Sequence, residues 1–299
     1  CHSESETIKV GKGPDALFLT SNEKYLYVAN VGDQFLSVVD TQKDIVIKEI
    51  KVTKNPWGFT RLGNSNLVAV SSWNKGITII DFTKHKIVKE KRYTYNLGGI
   101  VSTADGQSIF VVATKINKVF KVNAKSLDIV DEYQTGKAPD GIGISWNDSK
   151  LYVTNTKDAT ISVINLKDKS DKIIKTGGKP ELIHSNHSRT KLYISNFKKN
   201  LVHILDTKTD RIIKEISGLN GTEEAVLSQS EKTLYVVNFK TSKIFAYNAI
   251  THKKQEREFS VGKKPIGVVS ALNDTKLYVT NYGDNSLTVI KLPENTGHR

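Results

Sequence analysis

The 299-residue chain has no methionine and a single cysteine, Cys1. A lone thiol at the terminal position excludes a disulfide within the chain and leaves the body of the protein without a cysteine nucleophile. No apolar run approaches the eighteen or so residues that a helix needs to cross a bilayer. No stretch rich in Pro, Gly or Ser and no shift in composition marks a domain boundary. Arginine is scarce, and the formal net charge of +13 is carried mostly by lysine. Arginine is the usual bidentate reader of bases. The balance therefore suits loose attraction to anionic surfaces better than base-specific nucleic-acid recognition. Catalytic signatures are missing too. There is no G-x-S-x-G elbow, no P-loop and no dinucleotide fingerprint, and none of the seven histidines has H-x-x-x-H spacing.

What is present is a repeat. "KLYVTNTKDATISVIN" begins at Lys150, and "KLYVTNYGDNSLTVIK" begins at Lys276. With Asn155 as the anchor, equivalent positions are Asn30, Ser71, Ala113, Asn196, Asn238 and Asn281, at spacings of 41 to 43 residues. Sixteen residues before the anchor stands Pro14, Pro139, Pro180 or Pro265, while Pro56 sits one residue off that offset. A period near 42 with turn clusters inside it indicates four short strands per copy. In the fourth copy "DGIGIS", "LYVTN", "TISVIN" and "DKIIKT" are β-branched or aromatic runs separated by Asn, Asp, Ser and Lys. Seven such copies predict an all-β fold, a seven-bladed β-propeller of four-stranded blades. The seventh copy stops after its third strand, "SLTVIKL", and the chain begins with "ETIKV", which matches the missing fourth. Residues Thr7–Val10 are therefore expected to complete the last blade and close the ring, leaving no long exposed edge. The expected organisation is a polar tether over residues 1–6 and one propeller domain over 7–299.

The repeated Y-V-x-N, the G-x-x-P loops "GKGP", "GKAP" and "GKKP", and the V-I-D/N strand end resemble the YVTN family of seven-bladed β-propellers. The resemblance covers essentially the whole chain. It implies the propeller fold and a surface or periplasmic protein, and it implies no defined activity. The second and third copies depart most, with "VAVS" and "FVVA" in place of the motif. "CHSESET" in turn resembles the mature start of a bacterial lipoprotein, in which a lipid-bearing cysteine is followed by a short polar tether.

In a propeller the first strand of each blade lies nearest the axis. The loops from fourth to first strand and from second to third then share one face, the top. Two positional sets stand out on it. The residue beginning each inner strand is Asp15, Trp57, Gly98, Asp140, Glu181, Glu223 and Ile266 in turn. Its acidic members are expected to converge at the channel mouth, with His184 near them. They read as a cation site, because hard cations bind carboxylate oxygens, or as a solvated rim paired with lysines. The plainer reading of His184 has it packing between blades. Two residues past each anchor stand Gly32, Trp73, Lys115, Lys157, Lys198, Lys240 and Gly283. Together with the lysines of the G-x-x-P loops they make a basic surface, although the bottom turns carry lysine as well. Trp57 and Trp73 share the top face, where they stack on each other or form a recognition surface.

These residues predict a lipid-anchored protein of the bacterial cell envelope, held through Cys1. It is expected to be a monomer without cofactor that acts as a non-enzymatic binding scaffold. Its top face (Trp57, Trp73, Lys115, Lys157, Lys198, Lys240) would meet a protein or an anionic polymer, with nucleic acid a lesser candidate. The alternative is a metal-dependent hydrolase or lyase at the channel mouth, using Asp15, Asp140, Glu181, Glu223 and His184.

Overall fold

The computed structural model describes residues 5–294, so Cys1 lies outside the described residues. The chain forms seven four-stranded antiparallel sheets, six of which run from the axis outward in chain order. Blade 1 comprises Pro14–Leu19, Tyr25–Asn30, Phe35–Asp40 and Ile45–Lys51. Blade 4 comprises Pro139–Ile144, Lys150–Asn155, Thr160–Asn165 and Asp171–Lys175, as its sequence predicts. The last blade has the order Pro265–Ala271, Lys276–Asn281, Ser286–Lys291 and then Ser5–Lys9. The N-terminal strand pairs antiparallel with Ser286–Lys291, and Ile8 is buried beneath it. The ring is thus closed as expected, with the closing strand starting two residues earlier than Thr7 and ending one before Val10.

Apolar contacts collect between neighbouring blades rather than at one centre. Tyr27, Leu36 and Val38 of blade 1 meet Val68, Val70 and Ile80 of blade 2. Across the closure Ile8, Tyr278 and Leu287 meet Leu26, Val28 and Val39. A second strand such as Lys150–Asn155 therefore buries nearly every residue, because both of its faces are covered.

In the last three blades the anchor asparagine (Asn196, Asn238, Asn281) ties the top edge together. Asn281 donates through Nδ2 to Thr288 Oγ1 (2.8 Å) and accepts the Gly262 amide at Oδ1 (3.0 Å), joining second strand, third strand and lead-in loop. Blade 2 shows where the repeat shifts. Pro56 pairs with Ser72, as Pro14 pairs with Asn30, so the anchor of that blade is Ser72 and not Ser71. Blade 3 has Ala113 at the anchor. There the inner strand shrinks to Ile100–Ser102, and the loop tightens into a 3-10 turn over Thr114–Ile116.

The twin "KLYVTN" segments do the same work at two blade junctions. Tyr152 donates to Asp210 Oδ1 (2.6 Å), and Lys150 pairs with the same carboxylate (2.7 Å) in the outer turn of blade 5. Tyr278 and Lys276 repeat this with Asp44 across the ring closure, at 2.6 and 2.8 Å. Asp44 and Asp210 both sit at left-handed φ (56° and 57°), a conformation that Asp tolerates in turns.

Candidate functional site at the mouth of the central cavity

The inner strands surround a cavity of about 470 Å³ on the ring axis. Asp15, Trp57, Asp140, Glu181, Glu223 and His184, all singled out from sequence, line it together. What holds them there is the residue before the anchor. Thr154 accepts the Gly141 amide at Oγ1 (2.8 Å) and donates to the Glu181 carbonyl of the next blade (2.5 Å). Thr280 does likewise for Gly267 (2.7 Å) and Asp15 (2.8 Å), and Ser195 for Leu182 (3.2 Å) and Glu223 (2.9 Å). Each of these hydroxyls sets the channel-mouth residue of its neighbour. Glycine completes the fit: a Cβ at Gly141, Gly99 or Gly267 would collide with the carbonyl of Glu181, Asp140 or Asp15. Thr154→Val is expected to leave the Gly141 amide and Glu181 carbonyl unpaired. The cost is about 1–3 kcal/mol in equilibrium unfolding.

The acids do not share one environment. Glu181 is buried and pairs with Lys179 Nζ (2.7 Å). Asp15, Asp140 and Glu223 make no ion pair among the described residues. Burial first, and then the charges of Glu224, Asp140 and Glu181, push the Asp15 carboxyl up to about 8. Burial and Glu181 push Asp140 up to about 6, against the pull of Lys179. Glu223 is pushed up to about 9 by burial and then by Glu181, Asp15, Asp140 and Glu224.

His184 does not pack between blades. It lines the cavity, and its Nε2 meets Glu224 Oε1 at 2.5 Å. Glu224 is the principal residue that the sequence reading missed. A signal was present: its ring position holds Ala16, Gly58, Gly99, Gly141, Leu182 and Gly267 in the other blades. A single charge among small or apolar residues marks an exception. The acids surround the cavity without closing on one point. Among the described residues no three His, Cys, Asp or Glu side chains are grouped so as to hold a metal ion.

The top rim is aromatic as well as basic. With Ser72 as anchor, Trp73 belongs to the position just past it, alongside Phe197, Phe239 and Tyr282. Trp73 is thus removed from the lysine set. It stacks on Trp57 (centroids 5.2 Å apart, planes at 33°), and Lys115 Nζ lies 5.9 Å from its ring. Phe197 and Phe239 meet edge to face at 5.8 Å, with Lys240 over Phe197. Lys115, Lys157, Lys198 and Lys240 are all exposed, in the loops between second and third strands of four consecutive blades. Hydrogen bonds such as Trp73 N–H to the Asn55 carbonyl and Phe197 N–H to the Lys179 carbonyl join the two loops in six of the blades, placing both on one face.

No family profile matches the chain, and no curated protein matches it. Solved structures do. A structure of hydrazine synthase from Kuenenia stuttgartiensis matches with a TM-score of 0.82 at 14% identity, covering 95% of this chain and 96% of that one. The Cps50 (Swd1) β-propeller domain from Myceliophteria thermophila matches with a TM-score of 0.81 at 10% identity, covering 96% of this chain and 98% of that one. At such identities the likeness is one of fold.

Proposed function

We propose that the protein is a non-enzymatic binding scaffold that presents its top face to a protein partner. The observation that carries this reading is what that face brings together. Half-buried Trp57 and Trp73 stack beside an acidic cavity mouth, and four consecutive blades carry an exposed lysine in the loop between second and third strands. Aromatic rings that keep contact area open at low entropic cost are what interface anchors use. The inner acids favour a protein over an anionic polymer, because the centre of the face offers a polyanion carboxyl groups in place of cations. A folded partner can set a basic side chain at the centre and acidic ones outside it.

The test is capture and direct titration with the propeller as bait, beside a second bait carrying Trp57→Ala, Trp73→Ala, Lys157→Ala and Lys198→Ala. A partner bound by the first bait should bind the second at least about 30-fold more weakly, since interface tryptophans removed to alanine cost about 2 kcal/mol or more each. The thermal transition of the second bait serves as the folding control. Equal binding to both folded baits would move the interaction off the top face.

A further inference from the structure

We propose that the central cavity is a binding site for an alkylammonium group. Its charge is met by Glu224, beside the carboxyl groups of Glu223, Asp140 and Asp15, and its methylenes pack on Trp57 and Ile266. This inference does not rest on the top-face partner. Three observations carry it. The first is the cavity, whose volume of about 470 Å³ falls in the range of small-ligand sites. The second is Glu224, 7% exposed and lining that cavity. Its Oε1 meets His184 Nε2 at the cavity wall. Nothing in the blade packing calls for a carboxylate at a position where six blades carry Gly, Ala or Leu. A carboxylate this little exposed is costly without a cation beside it, and among the described residues His184 is the one neighbour that can become a cation. The third is the wall. Trp57, stacked on Trp73, lines the cavity with an indole, a ring that attracts organic cations, next to carboxyl groups of Asp15, Asp140 and Glu223 that make no ion pair among the described residues.

The chemistry narrows further. A primary ammonium is a compact charge with three donors, small enough to sit beside Glu224 at the wall. Half-buried Leu17, Val101 and Leu182 also line the cavity and offer apolar contact to a short alkyl body. Arg189 lines the cavity from a bottom turn, paired with Asp148 at 3.1 Å. A second ammonium at that end would meet a like charge, so a monoamine fits better than a diamine. The same group is offered by a free alkylamine and by a lysine side chain of a docked protein.

The experiment is a titration of the ¹⁵N-labelled protein with pentylammonium chloride, with 1-pentanol, and with the blocked peptide acetyl-Gly-Lys-Gly-amide. It is followed by the Trp57 indole N–H resonance and by calorimetry. Pentylammonium is expected to bind and to shift Trp57, and pentanol to do neither. Glu224→Gln, which keeps the shape, should weaken amine binding about 10-fold or more, the scale of a hydrogen bond to a charged group. Tighter binding of the peptide would identify a lysine side chain as the source, and tighter binding of pentylammonium a free amine. The proposal is overturned if neither cation shifts Trp57. It is overturned as well if pentanol binds as well as the amine, or if folded Glu224→Gln binds as wild type does.

Discussion

Asp44→Ala is expected to destabilise the protein by about 3–5 kcal/mol, the scale of removing one partner from a buried ion pair. Asp44 is the common acceptor for Lys276 and Tyr278 where blade 7 meets blade 1. The side chains of Lys276 and Asp44 are 9% and 8% exposed, so alanine strands an ammonium and a phenol away from water. Thr41 offers its carbonyl to both and relieves only part of the loss. Asp210→Ala at the junction of blades 4 and 5 is the internal comparison. There Lys150 and Asp210 are 22% and 17% exposed, and solvent can reach the stranded group. The loss should be smaller, about 1–3 kcal/mol. Urea unfolding at fixed pH measures both. A third protein, Asp44→Leu with Lys276→Met, should recover much of the stability, because an apolar pair needs no partner. Equal losses for Asp44→Ala and Asp210→Ala would mean that burial of the closure pair does not set its weight.

The second large effect is a stability that falls as the solution becomes alkaline. Asp15 and Glu223 ordinarily ionise at 3.8 and 4.5, and in the fold they are pushed up to about 8 and about 9. Asp140 is pushed up to about 6. Between pH 4 and 9 the folded protein therefore holds protons that the unfolded chain has released. Stability falls with pH wherever the native state binds more protons, so this contribution is complete below about pH 4 and is lost as pH rises through 6, 8 and 9. Exposed carboxylates act in the opposite sense. Asp81, Asp131 and Asp168 are held below the usual range, chiefly by hydrogen bonds from Thr83, Lys169 and Ser170, and favour the fold only once ionised. The two trends place the optimum on the mildly acidic side of neutral.

Glu223→Gln isolates the cavity contribution. The variant should match wild type near pH 5 and exceed it by about 1–3 kcal/mol at pH 9, with solvent at the open mouth screening part of the repulsion. Thermal unfolding at the two pH values is sufficient, since each kcal/mol moves the transition by about 2–4 °C in a domain of this order of size. A variant that loses stability at pH 9 would show that Glu223 is stabilised there as a carboxylate. The same acids that make the empty fold sensitive to alkali would, once ionised, make the cavity attractive to a cation.

The number of blades, the strand order and the closing strand were legible because each depends on local pattern. β-branched alternation, turn residues and a 42-residue period are properties of short windows, and seven repetitions average out the exceptions. The lysine arc was legible for the same reason: a residue's place in its repeat fixes its face. At Ser71 and Ser72 the pattern failed. Two adjacent serines fit the anchor equally well, and only the pairing of Pro56 with Ser72 chose between them. That choice carried Trp73 from the lysine position to the aromatic one.

Glu224, His184 and the altered acidity of Asp15, Asp140 and Glu223 belong to a different class of fact. Asp15 and Glu224 are separated by most of the chain, yet the charge of one raises the protonation of the other. The sequence by itself determined the propeller, its closure and the residues on each face, because those follow from a repeat read one copy at a time. Only the tertiary structure decided the site. Its chemistry arises from side chains of different copies, brought around one axis by a ring whose junctions are set by Thr154, Ser195 and Thr280. Distance and burial between copies are not encoded in any single one.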